Sequence, residues 1–257
     1  MADWNSQQYL KYENERTQPA IDLLNRIHIN KPKRILDVGC GPGNSTKILA
    51  ERYPEAYVLG IDSSEHMVAK AKQTNPAINF QTFDASGDLS PLGNDFDIVF
   101  SNACIQWIPN HDKLLPNLIQ LLIPGGLLAV QMPISDKEPF RQIIKEVSQQ
   151  PRWQLDFSIL GKENALSPEE YYDLLSANSS AFSIWQTTYF HTMHSHQDII
   201  EWSKGTRLRP YLEALPTDLQ PLFEETIYEQ VKASYPVQQN NHIIFKFPRL
   251  FFTAIAK

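Results

Sequence analysis

The run Arg34-Ile35-Leu36-Asp37-Val38 leads without a spacer into Gly39-Cys40-Gly41-Pro42-Gly43-Asn44-Ser45, and a helical pattern on Thr46, Ile48, Leu49 and Ala50 begins at once. Glycines at alternate positions let the backbone turn sharply and approach another group closely, so the stretch reads as strand, glycine turn, helix. The rhythm continues. Strands over Ala56 to Ile61, Ile78 to Phe83, Phe96 to Ser101 and Leu127 to Met132 are interleaved with helices over Ser64 to Gln73 and His111 to Leu122, and Pro124-Gly125-Gly126 forms a turn. Such alternation with short connections predicts an α/β fold, a mostly parallel sheet covered on both faces by right-handed crossovers.

The flanking segments break this rhythm. From Ser6 to about His28, Tyr9, Tyr12, Arg16, Leu23, Leu24 and Ile27 recur at mostly helical spacing, and Pro19 is expected to split that helix in two. Beyond Pro133 the pattern predicts a helix from about Pro139 to Gln149 and an irregular stretch holding Trp153, Phe157 and Leu160. A helix with a capping box follows, Ser167 at the N-cap, Pro168 at N1 and Glu170 at N3. Phe182 to His191 alternates as a strand would, and a second Ser-x-x-acid signature, Ser195 with Asp198, opens a helical region reaching about Ala233. Ile243 to Phe247 and Leu250 to Ala256 read as a closing pair of strands around Pro248. The sheet is thus completed late, and the helices between its last strands form an inserted cap.

Composition bounds the function. The 257 residues carry a net charge of −6, which disfavours a surface built to neutralise nucleic-acid phosphates or to adsorb on anionic lipid. Two cysteines, Cys40 and Cys104, are too few for a disulfide scaffold, and the first residues lack an apolar segment of the kind that marks export. A cytoplasmic protein without membrane or nucleic-acid partners is expected. No oligomeric state is fixed by these features, and a monomer fits them.

The glycine turn narrows the ligand. A dinucleotide fingerprint G-x-G-x-x-G would need glycine at position 44, where Asn44 stands. Asp37 lies two residues before Gly39, a poor neighbour for a pyrophosphate and a good one for a ligand carrying an ammonium group. Asp62 ends the second strand in Gly60-Ile61-Asp62-Ser63, where a carboxylate accepts from both ribose hydroxyls or caps the next helix. Asp84 ends the third strand, where it can accept from an adenine amino group. The three acids fall at successive C-terminal strand ends, the crevice in which open α/β sheets bind ligands.

Ile35-Leu36-Asp37-Val38-Gly39-Cys40-Gly41-Pro42-Gly43-Asn44 resembles the first motif of class I S-adenosylmethionine-dependent methyltransferases. More narrowly, the chain is similar to the trans-aconitate methyltransferase family. This similarity rests on Asp3-Trp4-Asn5, Gly60-Ile61-Asp62-Ser63-Ser64, Gln106-Trp107, Leu128-Ala129-Val130-Gln131-Met132-Pro133, Trp185-Gln186-Thr187-Thr188-Tyr189, Leu208-Arg209-Pro210 and Phe247-Pro248-Arg249-Leu250-Phe251. Ile134 to Glu163 and His194 fall outside it. The resemblance implies a Rossmann-like, mostly parallel seven-stranded sheet: a core over 31–194 and 242–257, an N-terminal helical segment over 1–30 above the cofactor cleft, and a helical cap over 195–241. It implies S-adenosylmethionine as cofactor, no metal, and methyl transfer to a carboxylate of a small polycarboxylic acid.

On that basis Asp37, Gly39, Gly41, Gly43, Asp62, Ser63, Asp84, Asn102 and Trp107 are the expected cofactor residues. Asn102 would hold the amino-acid portion, while Trp107 has three open readings: packing on adenine, facing the sulfonium, or wedging the interior. Tyr9 and Tyr12 either cover the cofactor or belong to the core. Arg209, Arg16 and Arg249 are the expected donors to the substrate carboxylates, because an arginine fork meets a carboxylate with two hydrogen bonds; the alternative is a surface or structural ion pair for each. His191, His194 and His196 lack a familiar zinc spacing and are expected to surround the helix start at Ser195. Two rivals remain, a nicotinamide-dependent oxidoreductase and a cofactor-binding protein that acts through a partner. Within methyltransferases the nearest alternative is another small-acid or carrier-bound carboxyl acceptor.

Overall fold

In the computed structural model, residues 13–134, 138–153, 164–205 and 207–257 are described. The strands are β1 (Arg34–Val38), β2 (Tyr57–Asp62), β3 (Asn79–Thr82), β4 (Phe96–Asn102), β5 (Leu122–Pro133), β6 (Ala181–Met193) and β7 (Ile243–Ile255). They form one seven-stranded sheet of order β3-β2-β1-β4-β5-β7-β6. The first five strands pair in parallel, and β7 runs antiparallel between β5 and β6. The α/β, mostly parallel architecture expected from the strand–helix rhythm is therefore present.

Strands buried on both faces need apolar residues at consecutive positions, and the central strands supply them. On one face Leu36, Val38, Val99, Leu128 and Val130 pack with α4 (His111–Gln120) and α6 (Pro168–Asn178). On the other, Ile35, Ile98, Phe100 and Ala129 meet Ala20, Leu23 and Leu24 of α1 (Glu13–Leu24) and Leu49 of α2 (Asn44–Arg52). The remaining crossover helix, α3 (Glu65–Thr74), joins Val68 and Ala71 to Phe80 and Cys40. Ser167 and Ser195 both cap helices through complete capping boxes, as their spacing predicts.

A second core lies beyond the end of β5. The ladder between β5 and β7 ends at Pro133–Arg249, but β6 and β7 continue together to Met193 and Ile243. This two-stranded overhang presents Ile243, Phe245 and Phe247 to α5 (Pro139–Ser148), α7 (His196–Lys204), α8 (Arg209–Ala214) and α9 (Gln220–Ser234). Phe140, Ile143, Ile144 and Val147 on α5 lie at i, i+3, i+4 and i+7, the spacing of a single buried stripe. Trp153 completes that packing and donates its indole N–H to the Val147 carbonyl at 2.7 Å. Phe157 and Leu160 lie outside the described residues.

Two proline expectations are corrected. Pro19 does not split the first helix; α1 runs through it, one missing N–H being a local loss that the buried Ala20, Leu23 and Leu24 offset. Pro248 does not separate two strands, because β7 is continuous. Its carbonyl accepts from Ile134 N–H, so the missing N–H also faces the β5 side, one residue past the last β5 pair. The bond it forgoes is the reciprocal one to the Ile134 carbonyl, at the very end of the pairing. The turn at Pro124-Gly125-Gly126 is likewise taken into an irregular start of β5, with a register shift opposite Phe96 and Ile98.

Candidate functional site

The C-terminal ends of β1, β2 and β4 open on one cavity of roughly 350 Å³, within the usual range for a small-molecule site. Its floor is the glycine loop. Gly39 and Cys40 N–H both donate to the Ile61 carbonyl, at 2.8 and 2.9 Å, which ties the loop to β2. Gly39, Gly41 and Gly43 all have positive φ (75°, 53° and 94°), a region that disfavours a side chain. A Cβ at Gly39 would meet Cys104 Sγ at 2.1 Å, whereas one at Gly41 would meet nothing within 4 Å. Gly39 is required by packing, and Gly41 leaves open room at the cavity.

Asp62 is the brace of this loop. Its Oδ2 accepts from Gly41 N–H at 3.0 Å and its Oδ1 from Ser64 N–H at 2.9 Å. The N-cap of α3 is Ser64, so of the two readings left open for Asp62 the helix cap falls away. Asp37 is fully buried, with Oδ2 accepting from Ser45 and Thr46 hydroxyls, both at 2.7 Å. Burial pushes its carboxyl up to about 6 against the opposing pull of those two hydroxyls. Asp37 does not line the cavity; it fixes the first turn of α2, whose Asn44 and Ser45 do. Gly43 also lies behind the lining, against Asn75, Phe80 and Ala71.

Gly39, Gly41, Asp62, Ser63, Asp84, Asn102, Trp107 and Arg249 all line the cavity. Asp84 is exposed and accepts from Ser86 N–H at 2.9 Å. Asn102 Oδ1 is buried without a protein partner among the described residues, an acceptor held at the end of β4. Trp107 is 40 % exposed, which rules out the interior wedge. It belongs to a one-turn helix, Ile105–Trp107, that His111 holds in place: Nε2 lies 2.9 Å from both the Ile105 and Ile108 carbonyls, and Nδ1 lies 2.6 Å from the Tyr171 hydroxyl. Two carbonyl acceptors place the proton on Nε2, and burial lowers the ring's pKa, so the imidazole is neutral and accepts from Tyr171. The pair is separated by 60 positions in the chain, and no local pattern announces it.

The substrate-side expectations are redistributed. Arg209 is absent from the lining and pairs with Glu213 at 2.6 Å, one turn along α8. Arg16 belongs to α1, whose Thr17 and Ala20 line the cavity, but its side chain lies outside the described residues, as do Tyr9 and Tyr12. Arg249 lines the cavity with its guanidinium 4.3 Å from the Phe247 ring centroid. Arg207 was missed: it lines the same wall, with its guanidinium 4.4 Å from the same ring. Its only sequence signal was its place two residues before Arg209.

The histidines go to separate partners. His191 packs on Trp202, His194 meets His242 edge-on, and His196 Nε2 lies 2.8 Å from the Tyr235 carbonyl. Among the described residues no group of three or more His, Cys, Asp or Glu side chains is placed to hold a metal ion. Burial pushes the Cys104 thiol up to about 12 and raises that of Cys40 as well, so neither is an activated nucleophile. No helix among the described residues is long and apolar enough to cross a membrane.

A glycine loop braced by a strand-end acid, on a sheet of this order, is the arrangement expected of a class I methyltransferase. A family model described as a methyltransferase domain matches residues 35–126, from β1 into the start of β5. Among solved structures, the YcgJ protein of Bacillus subtilis superposes with a TM-score of 0.64 at 16% identity, covering 93% of this chain and 98% of its own. A phosphoethanolamine N-methyltransferase of Haemonchus contortus, in complex with S-adenosylhomocysteine, superposes at 0.56 and 18% identity over 93% of this chain and 52% of that one. These two likenesses concern the fold.

The sequence relatives are nearer. The chain is 42% identical to a trans-aconitate 2-methyltransferase of Rhodopseudomonas palustris, over 99% of this chain and 100% of that one. It is 41% identical to trans-aconitate 2-methyltransferase of Escherichia coli, over 99% and 98%. The chain belongs to the trans-aconitate 2-methyltransferase family. That membership sets aside the nicotinamide oxidoreductase.

Proposed function

We propose that this chain transfers a methyl group from S-adenosylmethionine to a carboxylate of trans-aconitate, giving a monomethyl ester and S-adenosylhomocysteine. The observation that carries the reading is the polarity of the cavity: carboxylates Asp62 and Asp84 stand at the strand ends, while Arg249 and Arg207 stand at the wall beneath the cap. One end suits hydroxyl, amino and ammonium groups, the other an anion.

The residues present fit that cofactor. Gly41 leaves open room beside the loop, Asp62 keeps acceptor capacity for ribose hydroxyls beyond its two backbone bonds, and Asn102 offers an unpaired buried acceptor to an ammonium group. Phe83, Met67 and Trp107 give apolar walls for a purine, with Asp84 beside them. When bound, S-adenosylmethionine supplies an electrophilic methyl on a sulfonium. The protein's part is then to hold an acceptor in line with it. A carboxylate is ionised at neutral pH and is itself the nucleophile, so no general base is needed. Orientation contributes several kcal/mol to lowering such a barrier. The cap supplies the wall that orients the acid and excludes water.

Arginine is suited to the acid end because its planar fork pairs with carboxylates bidentately. Two free thiols at the cavity support a reducing, cytoplasmic setting. The test is turnover against a panel of di- and tricarboxylates, followed as S-adenosylhomocysteine release. The expected result is the highest kcat/KM for trans-aconitate; a carrier-bound or unrelated acceptor that outpaces every free acid would replace this reading.

A further inference from the structure

Arg207 sits in a cluster that the cofactor chemistry does not use. Glu138, just before α5, has a side chain only 1% exposed, and Arg207 Nη1 donates to its Oε2. Tyr235, just after α9, donates its hydroxyl to the other oxygen, Oε1, at 3.1 Å. Glu138 is thereby engaged on both oxygens. Arg207 is 10% exposed, and its Nη2 is buried with no protein partner among the described residues. A buried donor without a partner is uncommon in a folded protein and points to a missing acceptor.

A structural ion pair alone leaves two features without a role. Arg207 lines the cavity, and it shares the Phe247 ring with Arg249, the two guanidiniums at 4.4 and 4.3 Å from its centroid. A single ring therefore holds both cations against the same wall. Each arginine brings a planar set of donors to the cavity. Glu138, itself held by the Tyr235 hydroxyl, does for Arg207 what a fixed partner does for any binding arginine: it uses one edge of the fork and holds the rest in a set orientation, so less freedom is lost when an anion binds.

We propose that Arg207, oriented by Glu138 and Tyr235, binds one substrate carboxylate while Arg249 binds a second across Phe247. This pair would restrict efficient substrates to acids that keep two carboxylates besides the one methylated. The inference rests on the reading of the site as an acid methyltransferase and adds to it the residues that count carboxylates. It also explains why the anchor comes from the cap: Glu138, Arg207 and Tyr235 lie on segments that only the second hydrophobic core brings together.

The test compares trans-aconitate with glutaconate, 2-methylfumarate and itaconate, each of which lacks a different one of its three carboxylates. Arg207→Lys keeps the charge and loses the fork. It is expected to raise KM for trans-aconitate by about tenfold or more, and to change KM within about twofold for the dicarboxylate that already lacks the carboxylate Arg207 holds. The dissociation constant for S-adenosylhomocysteine stays at the wild-type value. The double variant Arg207→Met with Glu138→Gln leaves no unpaired buried ion, and calorimetric titration with trans-aconitate in the presence of S-adenosylhomocysteine should show the same loss of binding with a normal unfolding transition. An unchanged KM for trans-aconitate, or an equal rise for every acid that is turned over, overturns the proposal. Wild-type protein that binds trans-aconitate through Arg207 in the titration but methylates no acid would contradict the reading of the reaction and leave the anchor standing.

Discussion

Asp37 shows how one buried carboxyl records the demands of the loop above it. Its pKa rises from 3.8 to about 6 because burial disfavours the charge more than Ser45 and Thr46 favour it. A carboxyl whose folded pKa lies above its unfolded value binds more protons in the folded state between the two, so its contribution to stability is present below about pH 4 and is lost as pH rises through about 6. Relative to wild type, Asp37→Asn should therefore gain about 3 kcal/mol of stability between pH 4 and pH 8. Denaturant unfolding of the ligand-free protein at both values checks this, and a pH-independent difference would remove Asp37 as the titrating group. Asp62→Ala deletes the acceptor for Gly41 N–H and the one we propose for the ribose, and should raise the S-adenosylhomocysteine dissociation constant about tenfold or more, at ~1–3 kcal/mol for unpaired donors. Unchanged affinity in a calorimetric titration would take Asp62 out of the site. Asp62, Asp84 and Asn102 were legible because each stands at a strand end. Arg207 was not, since it is held at the cavity by Glu138, which Tyr235 braces in turn; these lie 69 and 28 positions away and share no pattern with it.

The loop between β1 and α2 is the element on which the site turns, and its glycines are not equivalent. Gly39→Ala forces a Cβ into Cys104 Sγ at a positive φ and should cost about 2–4 kcal/mol of stability. Gly41→Ala carries the φ cost but meets open space, so it should cost only about 1 kcal/mol while weakening S-adenosylhomocysteine binding about tenfold or more. Thermal unfolding with and without S-adenosylhomocysteine separates the two; equal losses in the ligand-free protein would contradict the distinction. The capping boxes at Ser167 and Ser195 were readable because a cap is a contact three residues long. Pro19 and Pro248 were misjudged because proline's effect depends on what its missing N–H would have faced. For Pro248 that side is the end of the β5 ladder, a tertiary fact.

Over the whole molecule, two cores divide the labour. The sheet with its crossover helices sets the strand ends that suit the cofactor, and the overhang of β6 and β7 carries a second cluster that brings Arg207 and Arg249 to the facing wall. The strand–helix rhythm made the first core legible, since each of its units is local. The second was visible only as a surplus of helices after Pro133, because α5 meets α9 across more than 70 residues of chain. The net charge of −6 is a property of the whole surface, while Arg207 and Arg249 both line the cavity. Binding of the acid should accordingly weaken with added salt far less than a surface contact would, because the charges involved are largely buried. The central claim is the transfer itself. Purified protein, trans-aconitate and S-adenosylmethionine labelled in the transferable methyl, analysed by mass spectrometry, should yield a labelled monomethyl ester of trans-aconitate together with S-adenosylhomocysteine. Formation of no ester by protein that binds S-adenosylhomocysteine, or label found only on a different acceptor, would contradict it.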